Sequence, residues 1–418
     1  MNKLKFFSLV IFWLISIIAS ILWTFENPDK IEIIKSSFKK NLKNDIKIVQ
    51  NEETEFKVIE ANAYDVIFKK VFSISEKTAF IENNSNINEP INFEKVNIYT
   101  QSGYKITNNK IDKIKLNDNF HLDNNGGIKT IFTISEKKFA LLTSKTNDCY
   151  YVSIVDLISL NETFKTECLP GTLKNYDFNG LGSSFVIKNE SVLISIGTPT
   201  NDSSVISELA QNDKSYYGKI LEFKKKDLIN EKLNPILFSK GHRTPQGMTV
   251  LKGKIFAVEH GPKGGDELNQ ILLNENYGWP VSSYGTRYFY DKNGKSYNLN
   301  HENNNFKEPL FAFVPSIGIS SLNNCPTNLK NYYKKNCLIA LSLYGNELRE
   351  GKSLVIFLLN ETMSKVDSIE KIYLGSSFPL RHFMTNSQNQ LYEDKAGNIY
   401  VSVDKDGIYQ ISFSKFRL

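Results

Sequence analysis

Several features that mark other protein classes are missing from this 418-residue sequence. Its lysines are scattered through Lys/Asn-rich turns without a long basic run, and the net charge is only +6, which argues against a nucleic-acid-binding surface. Its four cysteines include no Cys-x-x-Cys pair, which argues against zinc. Gly264-Gly265 has no Lys-Ser/Thr after it, which excludes a phosphate-binding loop. Long helical periodicity is also absent, so a helical bundle is excluded.

What the sequence does contain is strand pattern. Residues that favour strands, including 12% aromatics, recur as a short apolar strand, a polar loop and a second strand. Units spaced by roughly 50 to 80 residues are typical of sheet arrays. The five units are KKFALLTS…CYYVSIVDL, SVLISIGTP…YGKILEF, KIFAVEHGP…ELNQILL, NCLIALSLYG…SLVIFLL and NIYVSVDKDGIYQISF. The pattern predicts an all-β fold, most economically a six-bladed β-propeller over residues 61–418.

The N-terminal segment predicts a membrane anchor. Lys3 and Lys5 precede an uncharged apolar run from Phe6 to Phe25. Roughly 20 residues at 1.5 Å each match a hydrocarbon core of about 30 Å, and the basic flank places the N-terminus inside. We therefore expect a transmembrane or signal-anchor helix over 1–25, with a cleaved signal peptide as the alternative. Both place the body on the extracytoplasmic, periplasmic side of the inner membrane, after a charged stalk over 26–60.

The cysteines fit an oxidising compartment. Cys149 and Cys168 flank two strand-like runs that a hairpin would bring opposite each other, and Cys325 and Cys337 bracket a short loop. We predict two local disulfides, with four buried free thiols as the alternative.

The segment from Gly241 to Tyr290 carries most of the chemical information. A Gly-Pro turn directly after a strand can point main-chain carbonyls inward, and calcium prefers several oxygen ligands. An arginine can hold an anionic ligand through its planar fork of donors. This stretch supplies hard oxygens, a fixed positive charge and an aromatic ring: Gly261, Pro262, Asp266, Glu267, Arg243 and Tyr277.

The motifs GHR-x-PQG, EHGP-x-GGDELN and NYGWP in this segment resemble the signature of the glucose/sorbosone dehydrogenase family, especially its aldose sugar dehydrogenases. The likeness is dense in this segment and weaker over the rest of the chain from Asp123. Membership would imply a six-bladed propeller with pyrroloquinoline quinone (PQQ) on its axis beside Ca²⁺. It would also imply oxidation of aldose sugars or related alcohols by hydride transfer to the quinone.

The resemblance assigns roles to individual positions. The carbonyls of Gly261 and Pro262 would ligate the calcium next to the quinone, and Glu267 and Tyr277 match positions of a second calcium. Five further residues match positions that contact or surround the quinone: Arg243, Thr244, Tyr288, Arg381 and Asn125. Asn125 stands in place of a glutamine and Thr244 in place of an asparagine.

One expected residue is missing. The family's proton-accepting histidine matches Gly180, or Leu181 if the alignment slips by one, and Ser184 replaces a nearby arginine. A general base contributes roughly 10²–10⁴-fold to such a reaction. Asp177 is a weak candidate for the substitute base.

Two functions therefore stand open at this stage. One is a PQQ- and calcium-dependent dehydrogenase with a small-molecule sugar or alcohol as substrate and an undefined electron acceptor. The other is a degenerate propeller that binds sugar, quinone or calcium without turnover. A calcium-dependent hydrolase has less support, because no converging set of carboxylates can be assigned.

Overall fold

The computed structural model describes residues 48–49, 56–61, 63–83, 85, 91–147, 149–170, 176–199, 204–230, 234–287, 301–345, 352–375 and 377–417. Their strands form six antiparallel sheets, so the predicted six-bladed propeller is confirmed. The predicted N-terminal helix over 1–25 lies outside the described residues. Within the described ranges, no helix combines the length and hydropathy that a bilayer span requires.

Three strands lead the chain into the propeller. They are β1 (Ile48–Val49), β2 (Phe56–Glu60) and β3 (Asp65–Ile74), and both β1 and β2 pair with β3. Strands β1 and β2 fall inside the 26–60 segment interpreted as a stalk, so sheet pairing starts before residue 61.

The next three blades each begin with their innermost strand. Blade 1 contains β4 (Thr78–Asn83), β5 (Val96–Thr100), β6 (Tyr104–Thr107) and β7 (Lys110–Lys113). Blade 2 contains β8 (Ile128–Ile134), β9 (Lys137–Thr146), β10 (Cys149–Asp156), β11 (Glu162–Lys165) and β12 (Leu169–Pro170). Blade 3 contains β13 (Phe185–Lys188), β14 (Ser191–Ile196), β15 (Lys219–Lys224) and β16 (Ile236–Lys240).

The remaining blades follow the same order. Blade 4 contains β17 (Pro245–Leu251), β18 (Lys254–Glu259), β19 (Asp266–Ile271) and β20 (Phe311–Phe313). Blade 5 contains β21 (Ile319–Asn324), β22 (Asn336–Ser342), β23 (Ser353–Leu359) and β24 (Val366–Tyr373). Blade 6 contains β25 (Leu380–Phe383), β26 (Ile399–Val403) and β27 (Gly407–Ser414). Short α-helices are α1 (Ser204–Ser207), α2 (Lys225–Ile229) and α3 (Thr327–Tyr333).

Blade 6 is completed by both ends of the propeller. The last strand, β27, pairs along its length with β3, from Gly407 opposite Ser73 to Ser414 opposite Asp65. The inner strand β25 also contacts β4 of the first blade. The ring is therefore closed by hydrogen bonds between strands that are far apart in sequence.

The sequence repeat corresponds to the two middle strands of a blade. The five predicted units are β9–β10, β14–β15, β18–β19, β22–β23 and β26–β27. Middle strands such as β22 and β26 are buried almost throughout, since neighbouring blades cover both of their faces. That double burial produces the continuous apolar runs seen in the sequence. Blade 1 lacks such a run, and its outer strand β7 is exposed.

Both predicted disulfides are confirmed. Cys149 bonds to Cys168 and Cys325 to Cys337, with Cα–Cα distances of 5.3 and 5.4 Å. In blade 2, Cys149 lies opposite Pro170 in the pairing of β10 with β12, which places Cys168 beside it. Each bond therefore links strands within one blade or its adjoining loop.

Replacing Cys149 and Cys168 together by serine is expected to lower the free energy of unfolding by about 3 kcal/mol, because a link across 19 residues restricts the unfolded chain. Urea denaturation under oxidising conditions measures the loss. Dithiothreitol can break Cys149–Cys168 in the wild type only, and Cys325–Cys337 in both proteins, so it should remove most of the difference in stability between them. Equal urea midpoints for variant and wild type would contradict the prediction.

Candidate functional site

A cavity of about 1120 Å³ opens at one end of the propeller axis. Every blade contributes to its wall at or just before the start of the inner strand. Loops between second and third strands add most of the rest, and Thr286 comes from the connection between the third and fourth strands of blade 4. One wall residue from each blade in turn shows the pattern: Lys77, Lys129, Gly182, Thr244, Gly318 and Arg381. Because the six inner strands surround the axis, residues distant in sequence meet in this cavity.

Register shifts in three inner strands direct some of these side chains into the cavity. In β8, Ile128 and Thr130 pair with adjacent residues of β9, so Lys129 between them is an extra residue in a β-bulge. The same kind of shift occurs at Gln246 in β17 and across Arg381 in β25. A bulge leaves its extra residue outside the ladder and redirects the side chain. Lys129, Gln246 and Arg381 all line the cavity.

Arg243 lies in the cavity wall and is 6% exposed. Its Nη1 donates to the carbonyl of Gly261 at 2.8 Å and to that of His260 at 3.3 Å. Its guanidinium carbon lies 5.2 Å from the centre of the Trp279 ring. Arg243, predicted to contact the quinone, therefore lies at the cavity. Its guanidinium also holds the loop after β18 through these hydrogen bonds.

Asp266 fixes the same loop from the other side. Its Oδ1 accepts the N–H of Gly261 at 3.1 Å. Its Oδ2 accepts the N–H groups of three consecutive residues before and at the start of β21, Ile317, Gly318 and Ile319, at 3.0, 2.6 and 3.0 Å. One buried carboxylate thus joins two cavity-lining loops of blades 4 and 5.

These contacts bear on the calcium prediction. The Gly261 carbonyl already accepts a hydrogen bond from Arg243, and the Pro262 carbonyl lies 3.5 Å from the Ser316 hydroxyl. The Asp266 carboxylate is occupied by backbone N–H groups. In the described ranges no cluster of three or more His, Cys, Asp or Glu side chains suits a metal. The calcium ligands expected at the carbonyls of Gly261 and Pro262 therefore stay a prediction from the family resemblance.

Glu267 and Tyr277, predicted to hold a second calcium, lie in a buried network outside the cavity lining. Asn269 Nδ2 donates to Glu267 and to Glu259, both at 3.0 Å. Burial and the nearby Glu259 carboxylate raise the pKa of Glu267 well above its usual range. The Tyr277 hydroxyl donates to the Gln270 carbonyl at 2.6 Å. Both side chains therefore have hydrogen-bond partners within the fold, and their role at a second calcium stays a prediction.

The wall where the family histidine is expected is a 3₁₀ turn, Phe178–Leu181. Gly180 lines the cavity, whereas the Leu181 side chain is fully buried in the apolar core. Of the two aligned positions, Gly180 therefore faces the ligand space. Asp177 caps the turn through Oδ1, which accepts from the N–H of Asn179 at 2.9 Å and from Asn125 Nδ2 at 3.0 Å.

The other predicted positions are distributed as follows. Thr244 and Arg381 line the cavity, and Arg381 forms a two-bond ion pair with Asp404. Asn125 is exposed and is not among the residues that line the cavity, and its amide donates to Asp177, which does line it. Tyr288 lies outside the described residues.

Sequence reasoning missed two cavity lysines, Lys77 and Lys129. Burial lowers the pKa of Lys129 to about 7, and the positive charge of Arg381 adds to this shift. Burial also lowers the pKa of Lys77. A lysine inside the apolar strand IKTIFTI was the available signal for Lys129, since buried lysines are rare without a specific role.

Two polar atoms of the cavity wall also point to a ligand. Thr244 Oγ1 and His260 Nε2 are buried without a hydrogen-bond partner among the described residues. A buried polar group left unpaired costs about 1–3 kcal/mol. A polar ligand in the cavity would satisfy both atoms.

Solved structures share this architecture. The chain resembles the apo form of the soluble aldose sugar dehydrogenase of Escherichia coli with a TM-score of 0.61 and 16% identity, over 86% of this chain and 99% of that one. It resembles the PQQ-bound aldose sugar dehydrogenase of Streptomyces coelicolor with a TM-score of 0.53 and 15% identity, over 87% and 100% of the two chains. At such identities the likeness shows the fold alone, the β-propeller that these two proteins share with this chain.

Sequence comparison extends this to the family. The family model for glucose/sorbosone dehydrogenase matches residues 168–406, more than half of the chain. The chain belongs to the glucose/sorbosone dehydrogenase family. It is 43% identical over 54 residues to an aldose sugar dehydrogenase of Escherichia coli, covering 12% of this chain and 15% of the relative. An uncharacterised Synechocystis protein is 32% identical over 151 residues, covering 32% and 36%. These alignments span well under two thirds of either relative.

Proposed function

We propose that this chain is a quinone-dependent dehydrogenase that oxidises a hydroxyl group of an aldose sugar or related alcohol. The observation that carries the proposal is the axial cavity lined by cations from several blades. The family membership and the quinone-bound fold relative agree with it. When bound, PQQ would supply a two-electron acceptor for hydride.

The residues of the cavity fit such a cofactor. PQQ carries several carboxylates, and Arg243, Lys77 and Arg381 line the cavity with positive charge. Charge-assisted hydrogen bonds from such donors are about twice as strong as neutral ones. The buried Thr244 hydroxyl offers a further hydrogen bond. These side chains would hold and orient the cofactor.

Calcium has no step in this proposal. The Asp266 carboxylate accepts four backbone N–H groups, and the Gly261 carbonyl accepts one hydrogen bond from Arg243, which leaves that carbonyl a second lone pair. A calcium requirement for the bound quinone remains a prediction from the family resemblance. Titrating the protein with the quinone, once with calcium and once with a chelator, shows whether quinone binding requires calcium.

Binding without turnover is the second candidate function. It is favoured by one observation, the absence of any side chain at Gly180 where the family places its base.

We also propose, from the N-terminal sequence, that residues 1–25 anchor the body on the periplasmic side of the inner membrane. Its electron acceptor would then lie in or near that membrane.

The test is spectroscopic titration of the purified protein with PQQ. We expect saturable binding, and Lys77→Ala should weaken it about tenfold by removing one cationic donor. No hydrogen bond or ion pair ties the Lys77 side chain to the described part of the chain, so the fold should survive. Lys110→Ala, on the exposed strand β7, is the matched control and should bind like the wild type. A wild type that fails to bind the quinone would refute the proposal.

A further inference from the structure

Lys129 has a contact pattern that the proposed cofactor-holding role does not explain. It is the bulged residue of β8, and it lines the cavity while remaining only 5% exposed. Its Nζ donates to one backbone carbonyl, that of Asn125, at 2.7 Å. No carboxylate among the described residues lies within ion-pair distance of this nitrogen. The amine is thus held in place without a counter-ion.

The position of Lys129 is tied to the wall where the base is missing. Asn125, whose carbonyl receives the lysine, donates through its own amide to Asp177 at 3.0 Å. The N–H of Phe178 donates to the Asn124 carbonyl at 2.9 Å. These two bonds join the turn before β8 to the 3₁₀ turn that carries Gly180. Lys129 and Gly180 therefore share one wall of the cavity.

We infer that Lys129 replaces the missing histidine as the proton acceptor for a hydroxyl group bound in the axial cavity. This inference rests on the proposed function, because it needs an alcohol as substrate and a two-electron acceptor of the quinone class. Gly180 has no side chain, which leaves space at the wall. The bulge in β8 of the neighbouring blade directs Lys129 to the cavity, where its amine can accept the proton.

The O–H bond of the substrate breaks and its proton passes to the uncharged Lys129 Nζ, which becomes an ammonium. The electron pair of that bond forms the second carbon–oxygen bond of the carbonyl product. The adjacent C–H bond breaks and its hydride goes to the quinone acceptor. Lys129 later releases its proton to solvent through the open end of the cavity.

The charges around Lys129 favour an uncharged amine near neutral pH. Burial is the main cause of its lowered pKa, and the positive charges of Arg381 and Lys77 act in the same direction. Asp177 acts in the opposite direction. With a pKa of about 7, the lysine is mostly protonated below pH 7 and available as a base above it. Activity limited by this group should rise with pH through about 7.

The first experiment uses PQQ-loaded full-length protein and dye reduction across a panel of aldoses. Lys129→Ala and Lys129→Arg should each lower kcat by roughly 10²–10⁴-fold with little change in KM, because neither side chain accepts a proton at neutral pH. The rise of kcat with pH through about 7 should disappear in both variants. Methylamine should restore part of the activity of Lys129→Ala, since a small amine can enter the space left by the side chain.

The second experiment needs no turnover. Lysines of the unloaded protein are acetylated briefly at a series of pH values, and each site is quantified by mass spectrometry. Lys129 should react along a curve with its midpoint near pH 7. The exposed Lys110 should show the far higher midpoint of an ordinary lysine. Lys219 donates to three backbone carbonyls and lies off the cavity, so it should stay protected.

The outcomes separate the two proposals. If Lys129→Arg keeps wild-type activity, the lysine serves as a cation and the inference is wrong, although the dehydrogenase proposal stands. A pH-dependent rise that persists in Lys129→Ala would assign the proton to another cavity group and would also overturn it. An acetylation midpoint for Lys129 equal to that of Lys110 would do the same. A loaded wild type that oxidises no substrate would refute both proposals.

Discussion

Replacing Asp266 by alanine is expected to lower the free energy of unfolding by about 4 kcal/mol or more. This carboxylate is 1% exposed and accepts four backbone N–H groups from two loops. Each buried N–H left without an acceptor costs about 1–3 kcal/mol. Water entering from the cavity should satisfy some of them, which keeps the loss below the sum of four such penalties.

The same substitution should abolish quinone binding, because Asp266 positions Gly261 and the segment before β21 as parts of the cavity wall. Urea denaturation measures the stability and PQQ titration measures the binding. Asp213→Ala is the matched control: Asp213 is 67% exposed and, among the described residues, forms an ion pair only with Lys240, so we expect a change below about 1 kcal/mol. A variant as stable as the control would show that the four hydrogen bonds do not support the loop.

The second large effect concerns ring closure. Ile411 of β27 is fully buried and lies opposite Ile399 of β26 and Phe68 of β3. Ile411→Asp places a carboxylate without a partner in this apolar cluster, which costs several kcal/mol and separates the strands that close the ring. We expect a loss of more than about 4 kcal/mol, with most of the purified protein unfolded or aggregated.

The neighbouring position offers the control for Ile411→Asp. Gln410 is half-buried on the opposite face of β27 and lies across from Lys69. Gln410→Asp adds the same charge in the same strand, but beside a lysine, and should change stability by less than about 1 kcal/mol. Circular dichroism and size-exclusion chromatography compare the two variants. Equal behaviour would mean that charge in β27, and not its inward face, decides closure.

The sequence predicted the fold because most of the propeller's signal is local. Middle strands of blades are apolar along their length, and five of the six blades showed this directly. The pairing of β3 with β27 could not be predicted from pattern, because it joins residues more than 300 positions apart. Pairing by β1 and β2 was missed for another reason: both pair with the nearby β3, but they lie in a charged segment whose residues show no clear strand pattern.

The candidate site was predicted unevenly. Motif resemblance located Arg243 and Thr244 in a loop that does line the cavity. It also assigned carbonyl oxygens to calcium, which stays a prediction, and it could not show that the Gly261 carbonyl accepts a hydrogen bond from Arg243. Lys129 was missed because its direction depends on a β-bulge, which residue alternation in one strand does not reveal.

In the bulged inner strands, the residues that keep the ladder stable are different from the residues that line the cavity. Residues within a ladder serve both stability and shape, so exchanging them endangers the fold. Lys129, Gln246 and Arg381 stand outside the regular register, so we expect their replacement to leave the neighbouring ladder pairs intact. A propeller built this way can acquire new ligand preferences through single exchanges at its centre.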